Sequence, residues 1–114
     1  MSDCLFCGIA AGEIPADVVA EGDDWVAFRD IHPQAPTHVL IVPRRHIPTL
    51  DDLEPSDAAL LGALVMAAAG IARREGLVEG GYRLAANCGA GAGQSVFHIH
   101  LHLLGGRRFS WPPG

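Results

Sequence analysis

His98-Ile99-His100-Leu101-His102-Leu103-Leu104 alternates imidazole and aliphatic side chains without a break. A period of two is the signature of extended chain, and it sends the three imidazoles to one face and Ile99, Leu101 and Leu103 to the other. The aliphatic face is predicted to pack in a core. Same-face residues lie about 7 Å apart along a strand, so neighbouring rings can address one tetrahedral group, such as a phosphoryl group, from several sides. Neutral imidazole is a nucleophile, its cation is an acid, and its ordinary pKa lies near cellular pH. A bare His-x-His reads more often as a metal-binding strand or a polar exposed face, so the surrounding chain has to decide between them.

Working outward, Val96 to Leu104 is predicted to be one strand and Tyr82 to Ala86 its neighbour, joined by the loop Gly89-Ala90-Gly91-Ala92-Gly93. Upstream, Leu60, Leu61, Leu64, Val65, Ala68, Ile71 and Ala72 recur at the spacing of an amphipathic helix. That helix starts near Pro55 and Ser56, carries Arg73 and Arg74 at the negative end of its dipole, and is capped by Gly76. Thr37 to Val42, bounded by Pro36 and Pro43, is a β-branched strand, and Val18 to Glu21 with Trp25 to Arg29 form a hairpin about Gly22-Asp23-Asp24. Leu5, Phe6 and Ile9 mark a short N-terminal helix stopped by Gly12 and the Ile14-Pro15 turn. The tail from Gly105 is too rich in Gly and Pro for regular structure. The order β-β-β-α-β-β predicts an α+β domain with a mainly antiparallel five-stranded sheet.

The chain has 114 residues, with no repeat or linker to divide it, so residues 1–114 are read as a single domain. The net charge is −5 and every basic residue is arginine, which argues against a surface for nucleic acid. No apolar run is read as approaching the roughly 20 residues of a membrane span, and the stretch from Met1 to Gly8 lacks the basic and apolar regions of a signal peptide. The expected location is the cytoplasm, where three cysteines point to thiols or a metal site rather than a disulfide framework.

The histidine stretch resembles the histidine-triad family, whose signature is His-φ-His-φ-His-φ-φ with φ apolar. The resemblance runs from Leu5 to Gly114 and is closest to the Hint branch of nucleoside phosphoramidases. It includes Phe28 to Ile31, Pro33-Gln34-Ala35-Pro36-Thr37-His38, Gly93-Gln94-Ser95-Val96 and the ending Trp111-Pro112-Pro113-Gly114. It implies the histidine-triad fold, a homodimer that joins two sheets, and hydrolysis of purine nucleoside monophosphate derivatives, with adenosine the expected base. Alternatives are a dinucleoside polyphosphate hydrolase of the same family or a nucleotide-binding interaction protein with weak catalysis.

By that resemblance His100 is the nucleophile and forms a covalent nucleotidyl-histidine. His102 is the phosphate ligand and proton partner, Ser95 helps protonate the departing amine, and His38 buttresses the row alongside His98. The glycine loop through Gly93 resembles a phosphate cradle, and Asn87 matches a position at the ribose and phosphate. Asp30 would accept from the ribose hydroxyls, because an ionised carboxylate can serve two donors. Phe6, Phe28 and Ile31, with Leu5, Ile9 and Ile14, occupy base-pocket positions, and Trp111 of the tail is expected to reach toward the neighbouring subunit's site. Arg29 stands where animal members often carry histidine. His32 is read as a surface turn residue and Cys88 as inert.

Cys4-Leu5-Phe6-Cys7 has the spacing of half a tetrahedral zinc site, with a redox pair as the competing reading. Bacterial triad proteins that carry the pair complete it with residues matching His46 and His98. The expected cofactor is therefore structural Zn²⁺ on Cys4, Cys7, His46 and His98, with no organic cofactor.

Overall fold

In the computed structural model, which describes Asp3 to Gly114, β1 (Val18–Glu21) and β2 (Trp25–Arg29) form the predicted hairpin. Residues 1 and 2 of the chain lie outside the described residues. The Gly22 N–H closes the turn on the Trp25 carbonyl at 2.9 Å. β3 (Thr37–Pro43) pairs with β2 in register from Trp25↔Pro43 to Arg29↔Val39. β4 (Tyr82–Ala85) and β5 (Leu101–Gly105) complete an antiparallel sheet of order β1-β2-β3-β5-β4.

A helix covers part of each face. α2 (Ala58–Arg74) follows a single 3-10 turn at Pro55–Asp57, and its Leu64, Ala68, Ile71 and Ala72 are buried with Ala27, Val39, Ile41, Ile99, Leu101 and Leu103. Each fully buried aliphatic side chain of this kind contributes roughly 1.5–3 kcal/mol. The helix stops as predicted: Gly76 has φ +74°, its N–H reaches the Arg73 carbonyl, and the Leu77 N–H reaches Ala72. On the opposite face α1 (Leu5–Ala10) packs Phe6 and Ile9 against Val26, Phe28, Leu40 and Val42.

Three expectations need correction. Val65 is 45% exposed, because the buried stripe is narrower than the apolar one. Counted with its lead-in, Pro55–Arg74 is long and apolar enough to cross a membrane by length and composition, although Leu64, Ala68, Ile71 and Ala72 pack on the sheet. The last strand is also shorter than Val96–Leu104. β5 begins only at Leu101, opposite Ile41, and the residues before it leave the ladder. The next positions would face Val42 and Pro43, and Pro43 has no N–H to offer. Ile99 instead donates its N–H to the Ile47 carbonyl at 2.8 Å. The alternation survives this departure, since Ile99, Leu101 and Leu103 face the α2 core while His98 and His100 meet Phe6 of α1.

Candidate active site

His100 and His102 open onto a cleft of about 790 Å³ between α1 and the turn after β2. Phe6, Ile9, Ile14 and Phe28 supply apolar wall, Ile31 is 84% exposed, and Asp30 and Ser95 are polar groups of the same lining. The rings of His100 and His102 lie 4.9 Å apart, closer than the about 7 Å between same-face residues of a regular strand.

Hydrogen bonds fix the proton on each imidazole. His100 Nδ1 lies 2.8 Å from the His98 carbonyl, which can only accept, so Nδ1 carries the proton and Nε2 keeps its lone pair. The Gln34 N–H can only donate, and it points at His38 Nδ1 from 3.0 Å. The proton of His38 therefore sits on Nε2, which lies 2.9 Å from His102 Nδ1. That nitrogen must accept, which leaves His102 with an Nε2–H. The row thus presents one nucleophilic nitrogen beside one hydrogen-bond donor.

The same logic separates two clusters with metal-ligand composition. Asp30, His38 and His102 bring ligand atoms within 4.8 Å of one another, and His38 Nε2 lies 3.4 Å from Asp30. A metal there would need the lone pair of His38 Nε2, which holds the proton that Gln34 excludes from Nδ1, so this group relays hydrogen bonds and does not ligate. In the other cluster, His98 Nε2 donates to the Pro43 carbonyl at 2.7 Å and frees Nδ1. Nδ1 lies 3.4 Å from Cys4 Sγ, 3.5 Å from Cys7 Sγ and 3.3 Å from His46 Nδ1, which is 3.3 Å from Cys7 Sγ. Bond lengths of about 2.0–2.3 Å at tetrahedral angles give edges of roughly 3.3–3.8 Å. The donor set fits a tetrahedral thiophilic cation of the zinc class.

Burial pushes His102 down to about 4, helped by the neighbouring His100 and His38 and opposed by Asp30. Burial also lowers His38, against the pull of Asp30, and lowers His98, against its bond to Pro43. His102 is therefore neutral in the fold while the unfolded chain takes up its proton near pH 6.5. The unfolded state binds more protons between those values, so stability is lost as pH falls from about 6.5 to about 4. The melting temperature should fall across that window, and less steeply for His102→Gln; equal slopes would contradict the assignment.

Other predicted residues divide. Asp30 caps its own turn, accepting the His32 N–H at 2.8 Å, and keeps its second oxygen toward His38. Arg29, at the cleft edge, is engaged by Glu75 at 3.0 Å and Asp17 at 3.8 Å. His32 is exposed at the rim. Trp111 and Asn87 are not in this lining, and Trp111 is 82% exposed. The glycine loop also stays outside it, and the N–H groups of Ala92, Gly93 and Gln94 bond within the turn. Gln94 is a residue to which sequence reasoning gives no role. Buried to 3% exposure, it accepts the Gly89 N–H and donates to the carbonyls of Pro48 and Val96, thereby holding the loop that presents Ser95. A second hollow, of about 260 Å³, contains no histidine, and its Arg44 is engaged by Gly22, Ala10 and Glu21.

The HIT domain model matches residues 11–109. The chain belongs to the HIT domain family. This HIT domain is 50% identical over 105 residues to the purine nucleoside phosphoramidase of Escherichia coli strain K12, covering 92% of this chain and 88% of the relative. The structure of a HIT family hydrolase from Legionella pneumophila Philadelphia 1 is 57% identical with a TM-score of 0.96, covering 98% of this chain and 100% of that one. A histidine triad nucleotide-binding protein from Candida albicans is 32% identical with a TM-score of 0.83, covering 98% and 85%. The expected fold and family are borne out, and the chain is an enzyme of the hydrolase class.

Proposed function

We propose that this HIT domain hydrolyses the phosphorus–nitrogen bond of purine nucleoside 5′-phosphoramidates, adenosine being the base to which the family resemblance points. The observation that carries the reading is the pair of imidazoles with opposite, fixed roles in the lining of an apolar cleft, a bare Nε2 on His100 and an Nε2–H on His102. The relative named as a purine nucleoside phosphoramidase supports the substrate class.

The base lies against Phe6, Phe28 and Ile31, and the ribose hydroxyls donate to Asp30. His100 Nε2 attacks phosphorus as the P–N bond to the amine breaks, and Ser95 passes a proton to the departing nitrogen. His102 donates to a phosphoryl oxygen, where arriving negative charge favours its proton. Asn87 and Gly93 lie outside the cleft lining, and their place on the phosphate side is drawn from the family resemblance alone. Water then attacks phosphorus and returns a proton to Ser95, the P–Nε2 bond breaks, and nucleoside monophosphate leaves. Zn²⁺ on Cys4, Cys7, His46 and His98 braces the fold, and the cytoplasm suits the reduced thiols.

The site is proposed to be completed in a homodimer. Arg83 and Arg107 stack on Phe109, and Arg83 donates to the Ser110 carbonyl, so the tail is anchored up to the point where Trp111 projects. Burying that ring would contribute roughly 2 to 3 kcal/mol. Adenosine and guanosine phosphoramidates, acyl adenylates and dinucleoside tetraphosphates, compared on the full chain and on protein lacking Trp111 to Gly114, test both readings. The phosphoramidates should be the best substrates, and truncation should change the ratio of rates across leaving groups. Preference for tetraphosphates would reject the substrate class, and unchanged ratios would reject the tail's role.

A further inference from the structure

His98 and Phe6 each belong to two places at once. The ring of His98 is held at both nitrogens, by the Pro43 carbonyl on Nε2 and by the cysteine–histidine cluster on Nδ1, while its own carbonyl accepts the Nδ1–H of His100. Phe6 lies between Cys4 and Cys7 in α1, and its ring meets His100 edge-on at 5.0 Å and 84°. A six-residue helix is too short to hold itself, so the place of Phe6 depends on what ties α1 down. One tie is the cluster, which reaches from Cys4 and Cys7 to His46 and His98. The His98 carbonyl and the Phe6 ring, two of the contacts on His100, therefore both come from residues that the cluster holds.

We infer that the Cys4/Cys7/His46/His98 cluster, closed on a thiophilic divalent cation, positions the nucleophile as well as bracing the fold. With the cluster closed, the His98 carbonyl keeps the His100 proton on Nδ1 and Phe6 limits rotation of the ring, so the Nε2 lone pair stays aimed into the cleft. With it open, the imidazole samples both tautomers and more than one orientation. Phe6 also walls the base, so the same opening loosens the nucleoside's seat. The inference rests on the nucleophilic role proposed for His100.

His46 is the ligand to remove, because it is exposed, lies outside the cleft lining, and contacts Cys7 and His98. His46→Ala should lower kcat about tenfold, since small misplacements of a reacting atom carry costs of this order. KM should rise as well, because Phe6, which walls the base, is tied by the same cluster, so the rate at saturating substrate and the ring tautomer carry the test. The ¹⁵N resonances of His100 should change from a pure Nδ1–H tautomer to a mixture, and His46→Cys, which restores a donor, should recover both readouts. A protein that melts earlier yet keeps wild-type kcat and a pure tautomer would overturn the inference and leave the cluster a brace alone. If His46→Ala does not fold, the same two readouts are followed while a chelator withdraws metal from the wild-type chain below its melting temperature. If the wild-type chain shows no phosphoramidase activity, the proposed function falls, and the ¹⁵N spectrum still decides whether the cluster holds the ring.

Discussion

His100→Ala should lower turnover of a purine nucleoside phosphoramidate by about four orders of magnitude or more, because it removes the attacking atom from a two-step route and leaves only direct attack by water. The fold should tolerate the change. The ring of His100 is half-buried, and its neighbours Phe6 and Phe28 still pack edge-on on each other at 5.4 Å. Substrate affinity should change little, since Asp30 and the apolar wall remain. Steady-state rates with circular dichroism as a folding control check this, and a loss of less than about a hundredfold would remove His100 from the role of nucleophile. A large loss that came through KM instead would place His100 among the binding groups.

Withdrawal of metal should be the largest stability effect. One zinc ion per chain should copurify, with Cys4, Cys7, His46 and His98 at bond lengths near 2.0 to 2.3 Å. Chelation should lower the melting temperature by about 10 °C or more. Four ligands drawn from the start of α1, the segment after β3 and the approach to β5 tie three separate parts of the chain together, and loss of about 2–3 kcal/mol in a chain of this size gives such a shift. Two adjacent Nδ1 atoms 3.3 Å apart beside two sulfurs would lose the cation that reconciles them. Metal analysis and calorimetry before and after chelation measure it. Protein that carries no metal and melts at the same temperature either way would reject the site.

Much of this architecture is legible in the residues because its signals are local. The Gly76 stop of α2, the Gly22 hairpin and the short α1 each rest on a few neighbouring side chains, and the structure has all of them. What was illegible is non-local. The period of two persists through His98 and His100 although the ladder has ended, since the cause lies across the sheet at Pro43. In the site, the alternation identifies which rings share a face. It does not say which nitrogen carries a proton, for that is set by the Gln34 N–H, the His98 carbonyl and the Pro43 carbonyl, backbone groups that leave no trace in residue type. Gln94 is similar: its buried amide does its work on backbone atoms of Gly89, Pro48 and Val96.

The covalent step on His100 is the centre of this account, and the stereochemical course at phosphorus tests it most directly. A nucleoside phosphoramidate made with one configuration at a sulfur-substituted phosphorus, hydrolysed in isotopically labelled water, reports the number of in-line displacements whether or not an intermediate accumulates. Attack by His100 Nε2 followed by attack of water inverts phosphorus twice, so the account predicts net retention. Net inversion would mean that water displaces the amine in a single step and would contradict it.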